Sequence, residues 1–275
     1  LSSLRGAPSL AVGNVVGSNI FNILVIIGMT ALIRPLRIDK SVMSRQMPMM
    51  ALSALVLLML GNSVALDGTA TEVISRTSGI FLLLLFALFM LYTVRTSRVQ
   101  TAGDRLPAGT HSPMHATPRD TSYRMPLWKQ AVWILVGLAG LVWGGDRFVD
   151  SASGLARLTG MSEAMIGLTI VAAGTSLPEL AASVVAAVKG NPGLAVGNVI
   201  GSNIFNVSLV LGAGATCAPL TMGTIGNPDL LVLVGASLTF WLMGRVWGHS
   251  VINRAEGALL LLGYVAYTVW LISSL

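Results

Sequence analysis

The sequence predicts an all-α polytopic membrane protein in which two five-helix halves form an inverted-topology repeat. Three observations support this prediction. The 275 residues are 54% hydrophobic and 10% charged, whereas soluble globular domains average roughly 25% charged residues. Long apolar runs recur along the whole chain. The string AVGNVVGSNIFN at residues 11–22 also returns almost unchanged as AVGNVIGSNIFN at residues 195–206.

Eight apolar runs are long enough to cross a bilayer as helices. A hydrocarbon core about 30 Å thick requires roughly 20 helical residues. A β-barrel would alternate polar and apolar residues, and blocks such as FLLLLFALFML at residues 81–91 do not. The predicted spans are residues 10–33, 47–64, 77–94, 128–144, 164–188, 194–218, 229–246 and 257–273.

The distribution of basic residues predicts the orientation of the chain in the membrane. The net charge of +6 would favour a nucleic-acid partner in a soluble protein, but here the basic residues lie between spans, so we expect no nucleic acid to bind. On alternating sides of the bilayer, all but four of the 17 Lys and Arg residues fall on one side. The exceptions are Arg5, Arg76, Arg147 and Arg157. The positive-inside rule places the basic side in the cytoplasm and the C-terminus outside.

A polar segment at residues 95–126 divides the chain. Its prolines and many Ser and Thr residues predict a cytoplasmic linker. His111 and His115 are spaced as i and i+4, but in a Pro-broken linker we interpret them as solvated loop residues and not as a metal site. The predicted organisation is a first repeat at residues 1–94, the linker at 95–126 and a second repeat at 127–275.

The match between the two halves extends beyond the repeated string. At the same offset Gly28 aligns with Gly212 and Pro35 aligns with Pro219. Five predicted crossings separate the two strings, so the copies run in opposite directions through the bilayer. Inverted repeats are common in secondary transporters, which place substrate and ion sites near the bilayer midplane where the halves meet.

The second half contains a segment with no counterpart in the first. GTSLPEL at residues 174–180 would align before residue 1 at the repeat offset. Two equal five-helix halves would have ten spans, whereas the sequence contains eight predicted spans. We therefore expect the first repeat to be truncated at its N-terminus.

Glu179 is the residue that most strongly indicates a functional site. It lies near the middle of a predicted span, and a carboxylate at the bilayer centre costs roughly 2.5 kcal/mol or more, so such groups usually face a cavity, a partner or an ion. Pro178 cannot donate to the carbonyl of Gly174, which predicts a kink and a freed backbone oxygen. Both features indicate a lined cavity at this depth.

Hydroxyl and amide oxygens surround this position in the sequence. Thr175 lies one helical turn before Glu179 and is predicted to share its helical face, with Ser176 adjacent. Each repeated string stacks a Ser and an Asn at i and i+4 on one helix face; the two pairs are Ser18 with Asn22 and Ser202 with Asn206. Oxygen ligands suit hard cations such as Ca²⁺, which takes six to eight of them.

Other polar residues have simpler interpretations. Asn14 and Asn198 extend the two stripes by a turn and are predicted to be structural amides at helix entrances. Asp146, Arg147 and Asp150 cluster at the outer end of a span, where a salt-bridged interface and an ion entrance both remain open.

GTSLPEL followed by GNVIGSNIFN, with the second motif repeated in the other half, resembles the paired repeats of the cation/Ca²⁺ exchanger superfamily, in particular bacterial sodium/calcium exchanger proteins. The resemblance implies a ten-helix fold that exchanges Ca²⁺ against Na⁺ by alternating access in the bacterial inner membrane, with no prosthetic group. Its partners would be inorganic cations and the lipid bilayer, with no obligatory protein partner. It implies the metal ligands Glu179, Thr175, Ser176, Ser202, Asn206, Ser18 and Asn22.

Two departures from the family pattern stand out. The glutamate expected in the first half falls in the segment that is absent, which leaves one carboxylate to face a divalent ion. Some relatives have Asp where Asn206 stands, and Asn supplies an oxygen without a charge.

Several alternatives to sodium/calcium exchange remain at this point. A cation/proton exchanger would release Ca²⁺ when Glu179 is protonated. A channel or structural membrane protein would use the repeat only for helix packing. An intramembrane enzyme would need a second base or a metal set, and the predicted spans offer none, so we expect no enzymatic activity.

Overall fold

A computed structural model describes residues 8–64, 68, 72–103, 126–160, 166–223, 225–247 and 250–274. Most of the predicted linker lies outside these residues, including His111 and His115. Within the described part, seven helices are long and apolar enough to cross a membrane, and a bent helix pair forms a possible eighth span. Each coincides with one of the eight predicted spans, so the prediction of an all-α membrane protein is confirmed.

The helices are interrupted at several points by wider π-helical segments. The α-helices are α1 Pro8–Phe21, α2 Gly28–Ile33, α3 Met47–Gly61, α4 Arg76–Gly103, α5 Leu127–Leu158, α6 Ala172–Thr175, α7 Leu177–Val188, α8 Pro192–Phe205, α9 Gly212–Cys217, α10 Asn227–Leu242 and α11 Arg254–Ser274. The π-helical segments are π1 Asn22–Ile27, π2 Val42–Gln46, π3 Gly167–Val171, π4 Asn206–Leu211 and π5 Met243–Trp247.

The repeated string forms the same local structure twice. In each copy an α-helix runs to the phenylalanine of SNIFN, a π-helical segment starts at the following asparagine, and a short α-helix starts at the glycine six residues later. Both copies cross a membrane-length distance as one continuous span, Ala11–Ile33 and Pro192–Cys217. Nearly identical sequence therefore produces equivalent backbone irregularities in both halves.

Two short antiparallel ribbons join one half of the chain to the other. Strand β1, Leu36–Arg37, pairs with β4, Val251–Ile252, and β2, Val73–Ile74, pairs with β3, Leu220–Thr221. Strands β1 and β3 occupy equivalent positions after the two repeated strings. The halves thus exchange equivalent contacts, while their inverted orientation across a bilayer stays a prediction.

The last helix of each half packs against the end of the span that carries the repeated string of the other half. Helix α11 packs on α2, and α4 packs on α9. Glycines make this approach possible, because a Cβ atom on Gly257 would lie 2.8 Å from the carbonyl oxygen of Gly28. A Cβ atom on Gly79 would likewise lie 2.8 Å from the carbonyl oxygen of Gly212. Small residues allow backbones to approach closely in membrane bundles.

The first repeated string lies at the centre of the bundle. In the span Ala11–Ile33, 83% of the most apolar window is buried, whereas the span Trp128–Leu158 buries none of its window. Helix α5 instead exposes large apolar side chains such as Trp133. The first copy of the string is therefore core, and α5 is peripheral.

We expect Gly257→Ala to destabilise the protein, since the added methyl group would collide with the backbone of α2. Overpacking of this kind costs about 1–3 kcal/mol, which thermal unfolding in detergent would detect as a lower midpoint. The matched control is Gly235→Ala in α10, where a Cβ atom would meet nothing within 4 Å. Equal midpoints for the two variants would contradict the close packing of α11 on α2.

Candidate cation site

The span that carries Glu179 is broken near its middle. Helix α6 ends at Thr175 and α7 starts at Leu177, and the two segments meet at an angle of 52°. Pro178 lies in the first turn of α7, where a missing N–H costs nothing because that donor has no partner within the helix. The sequence predicted only a kink, but the proline begins a new helix.

This break corrects one part of the predicted geometry. Thr175 and Glu179 were expected to share one face of a continuous helix, and that expectation is wrong because they belong to α6 and α7 respectively. Glu179 instead lies in the first turn of α7. The partial positive charge at a helix N-terminus favours a carboxylate there.

The carboxylate of Glu179 carries a buried oxygen without a partner. Among the described residues, no hydrogen bond reaches its Oε2 atom. Asn198 Nδ2 donates to the Glu179 carbonyl oxygen at 3.5 Å and to Ser183 Oγ at 3.2 Å, which ties the first two turns of α7 to α8. Asn198 thus acts as the structural amide that its position predicts.

Thr175 and Ser176, the two residues at the break between α6 and α7, differ in burial. Ser176 is buried, with 2% of its surface exposed, whereas Thr175 is exposed. Thr175 Oγ1 lies 3.0 Å from Asn14 Oδ1 and also 3.0 Å from the Ala172 carbonyl oxygen, so its single proton is shared between the two acceptors. The contact with Asn14 links the break to the first repeated string. A hydroxyl that donates its single proton still has lone pairs available for a cation.

The Ser and Asn pairs of the two strings lie where α-helix gives way to π-helix. Ser18 and Asn22 are buried, and Ser202 and Asn206 are half-buried. Segments π1 and π4 begin at Asn22 and Asn206, and π-bulges in helices are frequent at functional sites. The sequence predicted regular stripes here and contained no recognisable signal for the wider turns.

Asn22 resembles Glu179 in one respect. Its Oδ1 atom is buried and has no hydrogen-bond partner in the described part of the chain. An unsatisfied buried acceptor costs about 1–3 kcal/mol, so such an atom in the core of the protein calls for an explanation. Four buried side-chain oxygens lack a partner among the described residues, and two of them, on Glu179 and Asn22, belong to predicted ligands, as a cation site would require.

Asn19 and Asn203 are central to the site and were missed in the sequence analysis. Asn19 Nδ2 donates to the carbonyl oxygen of Asn203 at 3.2 Å, and Asn203 Nδ2 donates to that of Asn19 at 3.4 Å. Both side chains are buried. Their equivalent positions in the two copies of the string were the available signal, because a buried amide must find partners.

Packing brings the elements that carry all the predicted ligands together. Helix α7 packs against π1 and α2, while α1 packs against α6 and π4. The break, the first string and the second string are therefore mutual neighbours. No group of three or more His, Cys, Asp or Glu side chains within the described residues could hold a metal, so a cation here would meet mainly neutral oxygens.

A cavity of about 520 Å³ lies between α5 and the break. Asp146 and Asp150 line it from one side, and Gly174, Thr175 and Pro178 line it from the other. Arg147 lies over the ring of Trp143 at 5.8 Å. Of the two interpretations that the sequence left open for this cluster, the cavity is compatible with an ion entrance.

The fold and the oxygen-lined break define the class of the protein as a multi-span membrane transporter for cations. The chain belongs to the sodium/calcium exchanger protein family, whose model matches residues 1–95 and 129–273. This is a family of transporters and not of enzymes. The family expected from the two motifs is therefore confirmed.

Individual relatives agree with this assignment. The chain is 38% identical to the putative antiporter CaxA of Alkalimonas amylolytica over 281 residues, which cover 98% of this chain and 81% of that protein. It is 36% identical to the inner membrane protein YrbG of Escherichia coli K12 over 98% of this chain and 78% of that protein. A solved structure of the sodium–calcium exchanger NCX_Mj soaked with Na⁺ and Sr²⁺ superposes with a TM-score of 0.72 at 30% identity, covering 100% of this chain and 79% of that chain.

We expect Thr175→Val to weaken the contact between the break and the first string. Valine keeps the shape of threonine but cannot donate to Asn14, and one lost hydrogen bond lowers the free energy of unfolding by about 1 kcal/mol. Thr175→Ser keeps the hydroxyl and should retain most of that energy. Thermal unfolding of the two variants checks this. A Thr175→Val variant as stable as the wild type, with the loss confined to Thr175→Ser, would show that the methyl group matters and the hydrogen bond does not.

Proposed function

We propose that the protein is a secondary active antiporter that exchanges Ca²⁺ against Na⁺ by alternating access. The observation that carries this proposal is the buried Oε2 atom of Glu179, which lies at a helix break within a membrane span and lacks a hydrogen-bond partner among the described residues. Membership of the sodium/calcium exchanger family supports it.

The proposed ligands combine one negative charge with neutral oxygens. Glu179 supplies the charge, and hydroxyl or amide oxygens come from the remaining members of the set. These are Thr175, Ser176, Ser202, Asn206, Ser18 and Asn22. Ca²⁺ takes six to eight oxygen ligands with flexible geometry, and Na⁺ can use part of the same set. Overlapping ligands make the two ions compete for one site.

Competition for the carboxylate provides a physical basis for exchange. An uncompensated Glu179 within the membrane is costly, and a bound cation removes that cost. The carrier therefore isomerises more readily with an ion bound than empty, so that one ion leaves in exchange for another. The moving parts would be the repeats at residues 1–94 and 127–275, connected by the linker at 95–126.

We place the protein in the bacterial inner membrane as a multi-pass protein, with the linker in the cytoplasm and the C-terminus outside. The excess of Lys and Arg in alternate loops supports this orientation. The name of the Escherichia coli relative, inner membrane protein YrbG, supports the compartment. No prosthetic group is needed for this activity, since Ca²⁺ and Na⁺ are cargo.

A cation/proton exchanger is the second candidate. Glu179 is the one carboxylate in the proposed ligand set, and a carboxylate can neutralise its charge with a proton as well as with Na⁺. The relative CaxA is named only as a putative antiporter, and that name specifies no counter-ion. A pure channel is disfavoured, because family membership indicates an exchanger.

We expect Glu179→Gln to abolish Na⁺-dependent Ca²⁺ uptake. The substitution keeps the side-chain shape but removes the only charge in the proposed ligand set, so Ca²⁺ affinity should fall by about tenfold or more. The measurement is ⁴⁵Ca²⁺ uptake by proteoliposomes that contain the full-length protein and are loaded with Na⁺. Uptake that ignores the Na⁺ gradient, or a variant that exchanges normally, would refute the proposal.

Two further arms sharpen this experiment. Glu256→Gln is the matched control, since Glu256 Oε2 accepts from the Asn253 N–H at the start of α11 at 2.7 Å and belongs to no predicted ligand set. It should leave Ca²⁺ uptake intact. Replacing the Na⁺ gradient with a pH gradient separates the candidates, because only the proton exchanger should then accumulate ⁴⁵Ca²⁺.

A further inference from the structure

We propose that Asn19 and Asn203 are positioning residues that determine which end of the Asn22 and Asn206 amides faces the transported cation. This inference rests on the proposed function, in which Asn22 and Asn206 are ligands. Asn19 and Asn203 are not ligands themselves. They act through hydrogen bonds that leave the two ligand amides a single orientation.

The first step is the contact between Asn19 and Asn203. Each side chain lies beside the main-chain carbonyl oxygen of the other residue, at 3.2 Å and 3.4 Å. A carbonyl oxygen can only accept, so the amide nitrogen of each side chain must face it. The Oδ1 atoms of Asn19 and Asn203 are thereby left on the other side of each amide group.

The second step is the contact with the ligand residues. Asn22 Nδ2 lies 3.0 Å from Asn203 Oδ1, and Asn206 Nδ2 lies 3.0 Å from Asn19 Oδ1. Because those oxygens are acceptors, Asn22 and Asn206 must present their nitrogens to them. The oxygen of each ligand amide then points away from this contact. For Asn22 this oxygen is the buried atom that lacks a partner in the described part of the chain.

Three of the four asparagine side chains in this network are buried. Asn19 and Asn22 are each 1% exposed, and Asn203 is 2% exposed. A buried amide that loses a partner costs about 1–3 kcal/mol. If one amide group exchanged the places of its oxygen and nitrogen, its hydrogen bond would be lost, and two acceptors or two donors would face each other. The four side chains therefore stabilise a single arrangement together.

The chemistry of the amide explains why orientation matters for transport. The oxygen end of an amide can coordinate a cation, whereas the NH₂ end carries partial positive charge and repels it. Asn22 of the first string is oriented by Asn203 of the second, and Asn206 is oriented by Asn19. Each half of the protein therefore prepares a ligand that belongs to the other half.

The test is a double-mutant cycle on Ca²⁺ affinity, measured by equilibrium binding of ⁴⁵Ca²⁺ to the purified full-length protein. Asn203→Leu removes the acceptor that orients Asn22 and should weaken Ca²⁺ binding by about tenfold or more. In an Asn22→Asp background the ligand has two carboxylate oxygens, so either orientation of the side chain places an oxygen towards the cation. There the same Asn203→Leu change should weaken binding by less than about threefold, because only general packing is lost.

A second double-mutant cycle tests the other ligand amide, and a control variant tests the effect of losing an unrelated buried hydrogen bond. Asn19→Leu with Asn206→Asp tests the other ligand in the same way and serves if Asn203→Leu does not fold. Ser237→Ala is the control, because Ser237 is buried but its hydroxyl bonds only within α10, to the Leu233 carbonyl oxygen at 2.8 Å. It should leave Ca²⁺ affinity within about twofold of the wild type.

The outcomes separate this inference from the proposed function. Equal losses of affinity with Asn and with Asp at the ligand position would show that Asn19 and Asn203 serve packing alone and would overturn the positioning role. If the wild-type protein binds Ca²⁺ but shows no Na⁺-driven exchange, antiport is refuted. The double-mutant cycle on Ca²⁺ affinity still tests the positioning role. Wild-type protein that binds no Ca²⁺ would overturn both.

Discussion

The reciprocal contact between Asn19 and Asn203 is the interaction on which the centre of the structure depends. The two copies of the repeated string meet there, and each side chain donates to the backbone of the other string. Buried polar groups must be paired, so the strings hold a fixed register across the interface. The π-helical segments that follow, at Asn22 and Asn206, then start at matched places. One amide pair thus aligns both halves of the candidate site.

The helix break positions Glu179, whose carboxylate supplies the negative charge that the asparagine amides lack. Pro178 starts a new helix and places the carboxylate in its first turn, where the helix dipole favours it. Asn198 of the second string fixes that turn, and Asn14 of the first string receives a hydrogen bond from Thr175. The equivalent asparagines of the two strings therefore both hold the broken span.

Much of this architecture could be predicted from the sequence, for definite physical reasons. Apolar runs and the repeated string predict the spans, since membrane length and hydrophobicity are properties of local composition. Glu179 could be singled out because burying a carboxylate is costly. The pairing of Asn19 with Asn203 could not be read locally, since it joins residues in different spans. The end of α6 at Thr175 was also missed, because a proline can either kink a helix or begin one.

The central claim is that Glu179 Oε2 and Asn22 Oδ1, two buried oxygens with no hydrogen-bond partner in the described part of the chain, are cation ligands. Anomalous diffraction from crystals of the full-length protein soaked with Sr²⁺, a Ca²⁺ analogue, tests this most directly. The account predicts a peak within about 3 Å of both Glu179 Oε2 and Asn22 Oδ1, as befits oxygen coordination of a large divalent ion. A peak confined to the cavity beside Asp146 and Asp150, with none at those two oxygens, would contradict it.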